Sequence, residues 1–579
     1  MAYRVGNIEV ALRQMTPGSF VLPKGFRTTE GARAFQAATI WERDVKIPTR
    51  DGTILRADIF RPVESDTAKI PVILAWSPYG KSGTGFFDLD SIPGYAGIPK
   101  SMLSGLQSFE APDPAEWVQH GYAVVNVNAR GILGSEGDHR WHGAAEGRDG
   151  YDAIEFVASL PWTNGRVALM GNSWLATAQW FIAAERPPHL SCMLPLEGLS
   201  DVYRETLCRG GVPNKPFWTF LMRNLFGNNS QEDVISMIEK YPLMNEYWAD
   251  KRARAHLINV PAYVLASMST GLHTVGSLRC FEDIPHEKKW LRLHPTQEWH
   301  DLYQAEAIAD FKKFLDFHTK GVQNDWQQTP RARVSVLRFN QSPLVNLPFP
   351  AWPIPETQYQ SLHLSTDSQL VADCGIVKSG SVTYQGDAPA FQADADTEEV
   401  QFRFTFKERT TIIGPSKLTV WMSCPDHDDF DVFVQLRKVS SSGEMLQALT
   451  IPLRQLGFAT QEEVETINCL KYLGPTGVLR ASHRELDPAL SKPHWPAHVH
   501  TRRRVVPADE IVELEIGLWT AAMQFEADEQ LVLKIAGHAM TLAEFVPLRG
   551  QFIAENRGRQ RVHWGGKFNS HLQIPVVRV

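Results

Sequence analysis

One stretch constrains this chain more than any other: Val167 to Trp180, reading V-A-L-M-G-N-S-W-L-A-T-A-Q-W. The apolar run Val167 to Met170 predicts a buried strand. Gly171 ends it, Ser173 follows at once, and Leu175 to Glu185 has the composition of a helix. A strand, one sharp turn and a helix make the geometry of a nucleophile elbow. Such a turn lifts a serine hydroxyl above the edge of a parallel sheet, with the N-terminus of the next helix beneath it. The pattern G-x-S-x-G is incomplete, because Leu175 stands at the second glycine.

At 579 residues the chain is too long for one core, so two or three domains are expected. Hydrophobic residues make up 43% and charged residues 21%, the balance of a soluble globular protein. A net charge of −7 leaves no basic surplus, which argues against a nucleic-acid partner. No apolar run approaches the roughly 18 residues that would cross a bilayer, so no membrane partner is expected either. The first ten residues, M-A-Y-R-V-G-N-I-E-V, contain no apolar leader segment. The six cysteines are scattered without a C-x-x-C pair, which suits reduced thiols and a cytoplasmic location.

Taken in order, residues up to about Ile40 show no period and read as an arm lying on another domain. Arg43 to Ile47 and Leu55 to Phe60 alternate polar and apolar around Arg50-Asp51-Gly52, an antiparallel hairpin. Short apolar strands (Pro71 to Trp76, Ala123 to Val127, Val167 to Met170, Cys192 to Leu196) then alternate with helical segments, the signature of a parallel α/β sheet. Residues 201–258 look wholly helical and read as a cap inserted over the strand ends, with Ser230 and Asp233 opening one helix. Strands resume at Val260 to Leu265 and Lys289 to Leu293. Beyond about Gly321 only short alternating runs recur, from Arg333 to Arg338 onward, which predicts an all-β sandwich. The expected divisions are 1–200 and 259–325 for the α/β domain, 201–258 for the cap and 326–579 for the sandwich.

Several motifs stand in one order along the chain: Arg50-Asp51-Gly52-Thr53, Pro78-Tyr79-Gly80-Lys81, Arg130-Gly131 with Gly134-Ser135-Glu136-Gly137, and Asp149-Gly150-Tyr151-Asp152. Then come Pro161-Trp162, the elbow, Leu479-Arg480-Ala481-Ser482 and His563-x-Gly565-Gly566. In these the chain resembles the CocE/NonD hydrolases, the family of cocaine esterase, α-amino-acid ester hydrolases and X-prolyl dipeptidyl peptidases. The resemblance implies an α/β hydrolase fold with an inserted helical cap and a C-terminal jelly-roll sandwich. The family's elbow commonly places glycine three positions after the serine rather than two, and here that position is the small residue Ala176.

The resemblance also implies the chemistry. Ser173 would be the nucleophile, which needs a base in reach and a site for the oxyanion. Tyr79, through its hydroxyl, and Trp174, through its backbone N–H, would form that oxyanion hole. For the base the expectation is His300, after the last sheet strand, with His294 a near rival and His273 a more distant one. The family carries an aspartate just after the preceding strand. Here Ser267-Met268-Ser269-Thr270-Gly271 offers none. The acid is therefore either absent, leaving a Ser–His dyad, or moved to Glu197 at the end of the neighbouring strand. Asp201 and Glu298 are weaker candidates.

Other clusters read as structural. Asp426-His427-Asp428-Asp429-Phe430-Asp431 lacks the glycine and spaced glutamate of a calcium loop. His494, His498 and His500 lack a fourth metal ligand. The glycines from Gly131 to Gly137 lack dinucleotide-binding spacing. No cofactor and no metal are expected. The expected activity is cleavage of an ester or small amide of a small-molecule acyl substrate through an acyl-enzyme. The alternatives are acyl transfer or carbon–carbon bond hydrolysis by the same serine, and then a non-catalytic binding protein. Whether the chain forms a homo-oligomer is left open.

Overall fold

The computed structural model describes residues 15–83, 87–225 and 229–579. The N-terminal leader reading falls on residues 1–14 and lies outside them. The first sheet is built from β1 (Gly18–Leu22), β2 (Thr39–Pro48), β3 (Ile54–Pro62), β4 (Ile70–Ser77), β5 (Ala123–Asn128) and β6 (Thr163–Asn172). It continues with β7 (Leu190–Leu196), β8 (Ala262–Ser267), β9 (Lys289–His294), β10 (Ala332–Val336) and β11 (Leu344–Phe349). Their spatial order is β1-β2-β3-β5-β4-β6-β7-β8-β9-β10-β11. From β5 through β10 the neighbours run parallel, and the pairs at both ends are antiparallel.

The parallel strands are short and apolar because both their faces are covered. Every residue of β5 and of β8 is buried. The crossovers carry α1 (Pro114–Val118), α2 (Ala144–Ala158) and α3 (Trp174–Ala184). Each has a local cause. Asp113 caps α1 by accepting from the N–H groups of Ala115 and Glu116. All of α3 is buried, so it is apolar on every side.

Residues 201–258 hold short helices, chiefly α4 (Lys215–Asn224), α5 (Val234–Lys240) and α6 (Glu246–Asp250). The cap of α5 is Asp233 alone, accepting from the Ser236 N–H at 2.9 Å, rather than a Ser230–Asp233 box. The chain then returns to β8, α7 (Thr274–Asp283), β9, α8 (Glu298–Leu302) and α9 (Ala305–Leu315).

Two expectations are corrected here. From Met15 onward the arm does not lie on another domain: β1 pairs along β2, and the Arg33 N–H bonds the Leu103 carbonyl within the same domain. The run at Arg333 does not open the sandwich. As β10 it pairs parallel with β9 and antiparallel with β11, so the first sheet extends past the boundary drawn at 325/326. An edge strand that alternates polar and apolar looks the same whichever sheet it joins, which is why the pattern alone misplaced it.

The C-terminal domain is strand-rich. Its longest pairing joins Thr410–Ser423 to Val512–Phe525 antiparallel, and Gln358–Ser365 lies against His571–Val577. It docks on the first sheet beyond β10, where the Leu337 N–H bonds the Ala522 carbonyl at 2.8 Å. Among the described residues no helix is long and apolar enough to cross a membrane.

Candidate active site

β6 ends at Asn172, and Ser173 takes φ 52 and ψ −118 before α3 begins at Trp174. A left-handed φ on a non-glycine residue costs on the order of 1–3 kcal/mol and persists only where its surroundings hold it. Here the Ser173 N–H bonds the Glu197 carbonyl at 2.8 Å, so the end of β7 clamps the turn. The elbow also needs close approach. A Cβ on Gly198 would sit 2.8 Å from the Thr177 nitrogen and 3.0 Å from the Ala176 Cβ. Small residues at 176 and 198 therefore let α3 lie against the end of β7, whereas the buried Leu175 packs on Gly171, where a Cβ would sit 2.6 Å from the leucine Cβ.

Ser173 Oγ lies 3.3 Å from His273 Nε2. The other ring nitrogen, Nδ1, lies 3.1 Å from Glu298 Oε2. His273 ends the loop after β8, and Glu298 opens α8 after β9. The segment Ser267 to Thr270, which offers no acid, supplies hydroxyls that tie these loops together. Ser269 Oγ donates to the Thr296 carbonyl at 2.5 Å, and Thr270 Oγ1 accepts from the Glu298 N–H at 3.3 Å. Thr274 Oγ1 donates to the Ser267 carbonyl at 2.5 Å.

His300 is not at Ser173. Its Nδ1–H donates to the Ala96 carbonyl at 2.9 Å. His300 lies on the helix α8, and two residues on a helix that are two positions apart point about 200° apart. With Glu298 facing the serine, His300 must face away. Glu197 is not hydrogen-bonded to the ring of His273 either. Its Oε1 lies 2.5 Å from His294 Nε2, and its Oε2 accepts from Ser267 Oγ at 3.2 Å. Asp201 pairs with Arg204 at 2.9 Å. Among the described residues, one group of ligand-type side chains converges, Glu197, His273 and Glu298, with donor atoms within 4.8 Å of one another. All three already have protein partners, which accounts for the cluster without a cation. The acidic run is likewise engaged: Asp426 pairs with Arg559, Asp429 with Ser482 and Asp431 with Arg480. His494 sits on Glu282, and His500 on His483.

Burial holds the His273 imidazole below its ordinary range, opposed by the nearby Glu197 charge. The ring is therefore neutral near pH 7, the state a general base requires. Burial, reinforced by Glu197, pushes the Glu298 carboxyl well up. Burial also holds the Tyr79 hydroxyl well above its usual range, so it stays a proton donor. That hydroxyl faces both Ser173 and Glu110, and its ring packs edge-on against Phe87 and Phe109 at 5.8 and 5.2 Å. Trp174 begins α3, and a helix leaves the first N–H groups without intrahelical acceptors. Its indole N–H donates to Glu146 Oε1 at 2.8 Å, which also takes the Trp76 indole at 2.9 Å. Glu146 gave no sequence signal, since a carboxylate in the first turn of a helix is ordinary.

Tyr79, Glu110, Ser173, Trp174, His273 and Glu298 line a cavity of about 940 Å³. The cap contributes Phe217 and Trp218, and the C-terminal domain contributes Asn468, Glu544 and Phe545.

Comparison with known proteins fits this arrangement. The family profile described as X-Pro dipeptidyl-peptidase (S15 family) matches residues 51–233, and the X-Pro dipeptidyl-peptidase C-terminal non-catalytic domain matches 324–573. A crystal structure of a CocE/NonD family hydrolase from Staphylococcus aureus is 30% identical, with a TM-score of 0.84 over 99% of this chain and 100% of that one. This chain belongs to the CocE/NonD hydrolase family. Among other relatives, a Mycobacterium bovis protein named as a serine esterase is 28% identical over 92% of this chain and 95% of its own length. Cocaine esterase of Rhodococcus sp. is 30% identical over 161 residues, which span 28% of this chain and only 24% of that enzyme. As a CocE/NonD hydrolase, the chain pairs an α/β hydrolase-like domain with a strand-rich C-terminal domain, the architecture its sequence pattern implied.

Proposed function

We propose that this CocE/NonD hydrolase is a serine esterase whose triad is Ser173, His273 and Glu298. The observation that carries the reading is the continuous contact from Ser173 Oγ through the His273 ring to Glu298. Ser173 Oγ attacks an acyl carbonyl as its proton passes to His273 Nε2. The developing oxyanion is held by the Tyr79 hydroxyl and the Trp174 N–H. Nε2–H then protonates the leaving alcohol or amine, and the C–O or C–N bond breaks to leave Ser173 acylated. Water attacks the acyl carbon and gives its proton to the same nitrogen, then the Oγ–acyl bond breaks as Nε2–H returns that proton to Ser173 Oγ and the acid is freed. Glu298 orients the ring through Nδ1 and, in its ionised form, stabilises the imidazolium formed in each half. Aromatic walls support a small apolar acyl group as the preferred substrate.

A fluorophosphonate probe is expected to label the folded chain at Ser173 alone, with no labelling of Ser173→Ala. Labelled peptide that maps elsewhere, or an unlabelled wild type, would remove the reading.

Glu197 has a predicted effect of definite sign. Its charge raises both His273 and Glu298. In Glu197→Gln, whichever of the two governs the acid limb of kcat/KM, that limb moves to lower pH. A pH–rate profile in both proteins checks it, and a limb that stays or moves upward contradicts the electrostatics described above.

A further inference from the structure

A second cavity of about 920 Å³ lies beside the catalytic one, sharing Phe217, Leu272, Asn468 and Glu544 in its walls. It opens between the cap and the C-terminal domain, and among its described lining residues Arg209 is the one cation. The guanidinium is fixed from two sides. Its carbon lies 3.9 Å from the centroid of the Trp519 ring. Nη1 donates to Thr476 Oγ1 at 3.1 Å, and Nη2 donates to the Thr476 carbonyl. The backbone is fixed too: Gly210 has φ 60, and a Cβ there would meet the Val478 carbonyl oxygen at 2.1 Å.

Among the described residues no carboxylate pairs with this arginine, and burial alone pushes it down, to about 9. The two acids in the same wall are committed elsewhere. Glu205 accepts from the Ser200 N–H at 2.7 Å, and Glu544 Oε1 accepts from Asn468 Nδ2 at 2.7 Å. Burial raises both of these carboxyls. A partly buried cation without a partner is costly, and a buried arginine such as Arg480 avoids the cost by pairing with Asp431 at 2.6 Å. Of the five N–H donors of a guanidinium, two are used by Thr476, so three remain for a ligand. The rest of the wall is largely apolar, including Val212, Phe433, Met540 and Phe552.

We propose that this cavity binds an organic carboxylate with an apolar body, anchored by Arg209. The planar fork matches a carboxylate, a single positive charge matches a monoanion, and the apolar wall takes the chain. A dianionic phosphate would lack a second cation.

The test is calorimetric titration of the full chain with hexanoate and with the neutral isostere hexanamide. Wild type is expected to bind hexanoate at least tenfold more tightly than hexanamide. That preference falls below threefold in Arg209→Gln and is kept in Ser173→Ala. Equal affinities in wild type, or an undiminished preference in Arg209→Gln, overturn the proposal. So does a preference lost in Ser173→Ala, because it would place the anion in the catalytic cavity. If Arg209→Gln does not fold, Arg209→Lys decides. It keeps the charge without the fork, so a preference cut threefold or more supports the site and an unchanged one rejects it. The readout is binding, so its failure is separate from a failure of the esterase reading.

Discussion

Replacing His273 with alanine is expected to lower kcat/KM for an ester substrate on the order of 10⁴-fold, while His300→Ala stays within about tenfold of wild type. The first loss corresponds to about 5.5 kcal/mol of transition-state stabilisation. His273 is the described histidine whose ring nitrogen lies beside Ser173 Oγ, whereas His300 spends its ring on the Ala96 carbonyl. Both imidazoles are buried, so thermal midpoints must be measured alongside to separate lost chemistry from lost structure. If His300→Ala were the inactive variant while His273→Ala turned over normally, the triad drawn here would be wrong.

Glu110→Gln is expected to stabilise the protein in alkaline solution and to change little in acid. Burial and the neighbouring Glu298 push the Glu110 carboxyl up to about 8 from 4.5. Oε1 accepts from the Trp299 indole at 2.8 Å, and the Tyr79 hydroxyl faces the carboxyl, but neither offsets the burial. The folded-state value is the higher one. Below about pH 4.5 both states hold the proton and this group costs nothing. As pH rises toward 8 the unfolded chain releases the proton and the folded one keeps it, so stability falls, and above 8 the loss is complete. A raised value of this size corresponds to about 5 kcal/mol as an upper bound, all of which the amide avoids. Thermal midpoints of both proteins at pH 4.5 and pH 9 check the sign. A variant no more stable than wild type at pH 9 would show that Glu110 is held ionised at little cost. A carboxyl kept at such expense beside Tyr79 fits a cavity shaped by function rather than by stability.

The fold was more legible than the site. Alternating strands and helices follow from local patterning, and patterning is what a short buried parallel strand exposes in its residues. Ser173 could be singled out because an elbow is a local object: a strand, one turn and a helix. The base and acid are not local. The loops after β8 and β9 lie side by side, since those strands are neighbours. Either loop can present either partner, and here the first presents His273 and the second Glu298. Nothing in a linear pattern states which. His300 also looked better placed than it is, because a difference of two residues is trivial in an extended loop and decisive on α8. Glu197 stood at a suspicious place for a sound reason: it clamps the elbow through its carbonyl and carries charge near His273.

One consequence reaches further. Asn468, Glu544 and Phe545 wall the catalytic cavity, yet they belong to a domain whose family description is non-catalytic. Part of the cavity wall is thus inherited apart from the groups around Ser173. Substitutions accumulating in the distal module would retune which molecules gain entry while every reacting atom stayed untouched. New preferences can then arise there without risking the machinery that makes any of them useful.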